Sequence, residues 1–169
     1  MGENVYFCAI KLTSAKMSYP IGDFKCSLDS KGRLVLPSDF REQMGEQAEE
    51  GFVLRPSLFE GSQFLDLYTH KEWDEEQQKL RAKIDIYDEE GIDVLRILNE
   101  GVRFVKLDAS GRLQIPKELK ELGGLTKEVV IQALANKMEI WDKNLRELHK
   151  KSVSTADKKK ALAYLKSIK

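Results

Sequence analysis

Two aspartate–arginine pairs are the residues of this 169-residue chain whose types and spacing best suit chemistry. Asp29 and Arg33 stand in Leu28-Asp29-Ser30-Lys31-Gly32-Arg33-Leu34-Val35-Leu36-Pro37, and Asp108 and Arg112 in Leu107-Asp108-Ala109-Ser110-Gly111-Arg112-Leu113-Gln114-Ile115-Pro116. Paired carboxylates in one barrel could act as an acid–base dyad, like charges pushing one pKa up. An arginine just past a tight turn could instead bond guanine O6 and N7, because a β-hairpin fits a major groove. A third use is purely structural: the aspartate caps the turn and the arginine pairs with it or with a neighbouring strand.

The dyad reading lacks its loop. Asp29-Ser30 is followed by Lys31, and Asp108 by Ala109, where aspartic proteases carry Asp-Thr/Ser-Gly. No nucleophile elbow, phosphate loop or dinucleotide fingerprint occurs either, so no catalytic residue is assigned and a small-molecule substrate is not expected. Cys8, Cys26, His70 and His149 are too dispersed for a disulfide framework or a metal site, so reduced thiols and no metal or cofactor are expected. The 41% hydrophobic and 33% charged composition suits a soluble protein. Its 28 basic and 28 acidic side chains argue mildly against a nucleic-acid partner, but a neutral total can hide a basic face. No apolar run approaches the ~18 residues of a membrane span, so no membrane partner is expected.

The elements that position the two pairs follow from a tandem repeat. After the shared LDxxGRLxxP, Phe40-Arg41-Glu42 answers Leu119-Lys120-Glu121, and Leu65-Asp66-Leu67-Tyr68 answers Met138-Glu139-Ile140-Trp141. Alternating Phe24, Cys26, Leu28 and Leu34, Leu36 predict two half-buried strands joined by a three-residue loop with a bulge. Gly32 and Gly111 supply the positive φ, and Asp29 and Asp108 bond the turn amides. Pro37 and Pro116 suit the first turn of short helices over 38–44 and 117–122. Two further strands complete each ββαββ unit.

The chain thus divides into residues 1–18, read as a disordered extension, a first unit at 22–70, linker helices at 71–101, a second unit at 102–145 and a lysine-rich helical tail at 146–169. Within the extension, Glu3-Asn4-Val5-Tyr6-Phe7 faintly resembles a protease-tag site, with Cys8 in place of the glutamine. The linker predicts helices over 71–83, with Trp73, Leu80 and Ile84 on a buried stripe, and over 89–99. The tail reads first as solvated and partly disordered. A helix docking on a neighbour and a basic arm touching DNA are its other readings.

LDSKGRLVLP, the LDLY strand and the second copy LDASGRLQIP, with GLTKEVVIQALANKMEIWD following, resemble the MraZ family of AbrB/SpoVT-like regulators. The resemblance covers about residues 19–141. It implies an α+β fold with a mainly β core, in which the tandem ββαββ repeats form one pseudo-symmetric swapped-hairpin barrel with flanking helices. It further implies a homo-oligomeric ring that binds direct repeats in double-stranded promoter DNA of the division and cell-wall gene cluster, usually repressing it, in a bacterial cytoplasm and nucleoid. An AbrB-like antitoxin and a protein-binding oligomeric scaffold remain the alternatives.

With the resemblance, Arg33 and Arg112 are the expected DNA readers. Lys31 lies at the first tip, Lys25 and Lys106 on the entering strands, and Lys117 and Lys120 at a helix start whose amides favour phosphate. Asp29, Gly32, Asp108 and Gly111 shape the hairpins. Residues 103–120 carry Arg103, Lys106, Arg112, Lys117 and Lys120 against Asp108 and Glu118, whereas residues 23–42 are balanced. The second copy is therefore the more basic, and unequal contributions to DNA binding are expected.

Overall fold

The computed structural model describes residues 19–168. The expected extension at 1–18 lies outside those residues. The element order is β1 (Asp23–Leu28), β2 (Arg33–Val35), α1 (Ser38–Met44), α2 (Gln47–Glu50), β3 (Phe52–Pro56), β4 (Leu65–Thr69), α3 (His70–Lys83) and α4 (Glu89–Asn99). It continues with β5 (Arg103–Val105), β6 (Arg112–Gln114), α5 (Lys117–Leu122), β7 (Glu128–Ala133), β8 (Met138–Asp142), α6 (Lys143–Ser152) and α7 (Thr155–Ser167). The sequence had not indicated α2. Pro37 and Pro116 stand at the N-cap of their helices, just before the first turn expected for them.

All eight strands form one antiparallel sheet in the order β5-β3-β4-β8-β7-β1-β2-β6. A bridge between Leu107 and Leu113 joins the two ends, so the sheet is a nearly closed barrel. The pairing crosses between the repeats. β1 runs along β7 with Phe24 opposite Ile131, and β5 runs along β3 with Val53 opposite Phe104. β2 lies on β6 with Leu34 opposite Leu113, and β4 lies on β8. Each hairpin is thus inserted into the other repeat's sheet, which is why one unit cannot close a core alone.

The period-2 pattern turns one face of every strand inward. Leu34, Leu54, Leu65, Leu67, Leu113, Ile131, Met138 and Ile140 fill the barrel, with Phe40 from α1 and Leu119 from α5 at its ends. Phe24 meets Phe40 edge-on at 5.1 Å. The two barrel halves are not equal. β1 pairs in register with both β2 and β7, whereas β5 has three residues and pairs with β3, the Leu107–Leu113 bridge to β6 lying beyond its end.

Tyr68 and Trp141 are buried, as core residues should be, but on the outer barrel wall beneath helices. Trp73 is only half-buried, its ring edge-on to Tyr68 at 5.4 Å, and α3 has no fully buried residue. The expected buried stripe is a half-covered one because α3 lies across the wall with its other faces in solvent. Beneath it, Arg55 Nη2 donates to Asp66 Oδ2 (2.8 Å) and to the Tyr68 hydroxyl (2.7 Å), and Lys137 Nζ donates to Asp66 Oδ1 (2.5 Å). Asp66 is 2% exposed, so β3, β4 and the turn between β7 and β8 exchange charge under cover.

The flanking helices start at side-chain caps. Thr69 accepts from Glu72 N–H, Asp88 from Gly91 N–H, and Asp142 from Asn144 and Leu145 N–H. The tail is a complete helix rather than a partly disordered segment, since Ser154 and Asp157 form a reciprocal capping box that fixes its first turn. It is nonetheless fully solvated: every residue of α7 is exposed.

Candidate nucleic-acid interface

The two LDxxGR segments fold into matching loops. Gly32 N–H donates to Asp29 O (3.0 Å) and Asp29 N–H to Arg33 O (3.0 Å), a type I turn followed by a left-handed glycine with φ 75°. The second loop repeats this at Gly111 and Asp108, with φ 70° at Gly111. Asp29 Oδ1 accepts from the Lys31 and Arg33 amides at 2.9 Å, and Asp108 Oδ1 from those of Ser110 (2.9 Å) and Arg112 (3.0 Å). A side chain lacking a carbonyl-like acceptor leaves two turn amides unpaired, so the aspartate shapes the loop.

Those amides, the Arg33 amide foremost, hold the Asp29 carboxyl below the usual value of about 3.9, with the Arg33 side chain adding to the effect. Asp108 is lowered in the same way, chiefly by the Arg112 amide. A carboxyl whose folded pKa is depressed stabilises its loop fully above the unfolded value, and that contribution is lost as pH falls through the folded one. The Lys31, Arg33, Ser110 and Arg112 amide resonances should therefore stay constant down to about pH 4 and move only below it. Movement centred above pH 4 in an NMR titration contradicts the bonding described.

The remaining carboxylate oxygen holds the arginine. Arg33 Nε donates to Asp29 Oδ2 at 2.6 Å, and among the described residues neither of its Nη groups is bonded. Arg112 sets both Nε and Nη2 at 2.8 Å from Asp108 Oδ2, which leaves Nη1 alone unengaged. Both guanidinium groups are partly covered, with 28% of each side chain exposed. Hence the structural use of Asp-x-x-Gly-Arg and a partly exposed arginine with unbonded donors coexist. The ion pair holds the guanidinium by Nε, and at Arg33 it leaves both Nη groups as donors on a partly exposed side chain.

The swapped strands decide which charges surround each tip. Gly32 O accepts from Ile115 N–H (3.0 Å), Gln114 Nε2 donates to Lys31 O (3.0 Å), and Leu28 N–H donates to Lys127 O (2.9 Å). The first tip therefore sits against the second repeat. Lys31, Lys117 and Lys120 line one notch beside it whose lining holds no carboxylate, though Lys117 reaches Glu121 at 3.8 Å along its helix, and Lys120 and Lys127 line the adjoining notch next to Asp29. Around the second tip, Arg41 and Lys106 share a notch with Glu49 and Asp108. The Arg41 guanidinium covers Gly111 so closely that a β-carbon there would meet Nη1 at 2.8 Å.

Among the residues expected at the site, Lys31 and Lys117 are thus gathered at the first tip with Arg33, and Lys106 lies at the second with Arg112. Lys25 joins neither: it lies beside Asp23, Glu128, Lys143 and Arg146 at the α6 side of the barrel. Lys127, Gln114 and Arg41 complete the two surroundings and were not among the expected site residues. For Lys127 the only sequence signal was its place in the GLTKEV run.

Fold and hairpins together define a class: an AbrB-like swapped-hairpin barrel made within one chain from two ββαββ units. The chain belongs to the MraZ family, whose model, with a description that likens the family to antitoxins, matches residues 21–95 and again 99–163. It is 41% identical over 131 residues to a protein named Transcriptional regulator MraZ from Flavobacterium psychrophilum, covering 78% of this chain and 82% of that one. Identically named proteins match at 35% identity from Christiangramia forsetii (75% and 80% covered) and at 37% from Caldicellulosiruptor bescii (79% and 90%).

Proposed function

We propose that this protein is a DNA-binding transcriptional regulator that reads the major groove chiefly with its first hairpin. The observation that carries the reading is the cluster of Lys31, Lys117 and Lys120 at the first tip, where the one carboxylate paired with a lysine is exposed Glu121, 3.8 Å from Lys117 along its own helix. Lysines of both repeats would track phosphates there, while Arg33 reads a guanine. Arg112 is a weaker second reader because its own aspartate occupies two of its nitrogens. The names of the relatives support the regulatory role.

The finer reading is a repressor of the division and cell-wall gene cluster that binds promoter direct repeats as a ring, in the cytoplasm and at the nucleoid. A ring would multiply weak hairpins through effective concentration. Exposed Ile86, Tyr87, Val94 and Ile97 around the linker helices offer an apolar surface for such assembly.

Footprinting of the wild type on the DNA upstream of its own gene tests the function and reports box sequence and spacing. Absence of salt-sensitive binding to any upstream DNA ends the regulator reading. On a confirmed box, Arg33→Ala should lose about 5- to 150-fold in affinity and relax one base position, as expected for a guanine contact of about 1–3 kcal/mol. Arg33→Lys should behave similarly, since it keeps the charge but not the fork. Arg112→Ala should lose less, and the double variant should bind no promoter. Undiminished binding by the double variant removes these arginines from the site.

A further inference from the structure

The tail helix and the linker hairpin are opposites in charge and alike in apolarity. Residues 146–169 carry eight basic side chains against two acidic, and residues 71–101 carry ten acidic against five basic. At 3.6 residues per turn, Leu162, Leu165, Ala161 and Tyr164 fall on one side of α7 with the C-cap Ile168 below them and Lys158 at the first-turn end of the stripe, while Lys159 and Lys166 lie along one margin and Lys160 along the other. Leu162, Tyr164, Leu165 and Ile168 are all exposed. A 13-residue helix that buries nothing is marginal in water, so α7 is built for a partner.

The linker hairpin has the matching shape. A groove of about 570 Å³ runs between α3 and α4, lined by Ile84, Ile86, Tyr87 and Leu95. Ile86 is 55% exposed and Tyr87 93%. Glu89 and Glu90 stand at the start of α4 without an ion pair among the described residues.

The groove of the same chain is not where α7 goes. α6 is anchored to the barrel by Arg146, which bonds Asp23 at 2.7 Å, and by His149 stacked on Trp141. Only Val153 and Ser154 join α6 to α7, and in that position α7 stands in solvent while the groove is open.

We propose that α7 of one copy docks on the α3–α4 groove of a neighbouring copy, its apolar stripe on Ile84, Ile86, Tyr87 and Leu95 and its lysines against the α4 acidic start. Donor and acceptor are different surfaces, so every copy gives one arm and receives one. A head-to-tail contact of this kind forms a ring when its rotation closes. The inference rests on the oligomer proposed above and supplies its joint.

Sedimentation and native mass measurements on full-length variants test it. The wild type should be oligomeric, and Leu162→Asp with Leu165→Asp, or Ile86→Asp with Tyr87→Asp, should each lower the mass. Mixing these two variants leaves one intact donor and one intact acceptor, so a two-chain species should appear. Lys159→Glu with Lys160→Glu should raise the dissociation constant about tenfold, and adding Glu89→Lys with Glu90→Lys should restore it to within about threefold. A Leu162→Asp/Leu165→Asp variant that keeps the wild-type mass overturns the joint while leaving the oligomer standing. So does a variant that loses DNA affinity at unchanged mass, which would make α7 a DNA arm. A wild type that is monomeric throughout overturns the ring itself.

Discussion

Exchanging Lys31, Lys117 and Lys120 together for glutamine should weaken DNA binding about 500-fold at 0.1 M salt. Each lysine that neutralises a phosphate contributes about 0.9 to the slope of log affinity against log salt, and nearly the same number of decades between 1 M and 0.1 M. Three such contacts give about 2.7 decades, so the slope should fall by about 2.7 as well. The loss should be similar on every sequence, because phosphates carry no base identity. All three residues lie on the notch beside the first tip, and none is buried, so the fold should be untouched. The matched test is Arg41→Gln with Lys106→Gln at the second tip, where Glu49 and Asp108 already offset part of the charge. An equal loss per residue at the two tips contradicts the assignment of the first hairpin as the main contact.

The second large effect concerns stability. Asp66→Ala should cost about 3–5 kcal/mol, the range for removing one partner of a buried ion pair. The carboxylate is 2% exposed and accepts from Arg55 and Lys137 together, so its loss leaves the buried Arg55 with no counter-charge, only the Tyr68 hydroxyl, and Lys137 with Glu139 alone. Arg55 is already short of a partner at its buried Nε, which leaves it no alternative bond there. For a chain of this size the melting temperature should fall by about 6–20 °C, read by calorimetry or circular dichroism. Replacing all three together, as Arg55→Met, Asp66→Leu and Lys137→Met, should come out nearly neutral, because buried pairs bring little net stability over well-packed apolar groups. A single substitution that melts within 2 °C of the wild type contradicts the buried network.

Local structure was largely legible in the sequence. The repeat, both Asp-x-x-Gly loops, the helices at 38–44 and 117–122 and the Asp88 cap all depend on neighbours in the chain. What the sequence hid depends on partners far along it. Asp66 reads as the outward residue of an alternating strand, and only the fold brings Arg55 and Lys137 to it. Lys25 and Lys106 look equivalent because each lies on a strand entering a turn. Aligned on the aspartates, however, Lys25 corresponds to Phe104 and Lys106 to Ser27. The charge windows misled for the same reason. Residues 103–120 are basic, but two of their five cations, Lys117 and Lys120, lie beside the first hairpin, since Ile115 bonds to Gly32. Unequal hairpins remain the expectation, with the favoured one reversed.

The pairing of β1 with β7 also sets a schedule for the growing chain. Phe24 and its partner Ile131 are about a hundred residues apart in synthesis. At about 5–20 residues per second, the first hairpin waits on the order of 5–20 s before the strand it must join leaves the ribosome. Throughout that interval β1 shows an open edge, and on a crowded messenger the nearest β7 can belong to the chain ahead. Each nascent chain could then complete its barrel with a strand from its predecessor, exchanging hairpins between molecules instead of between repeats. Translation rate across the second repeat would govern how many barrels close within a single chain.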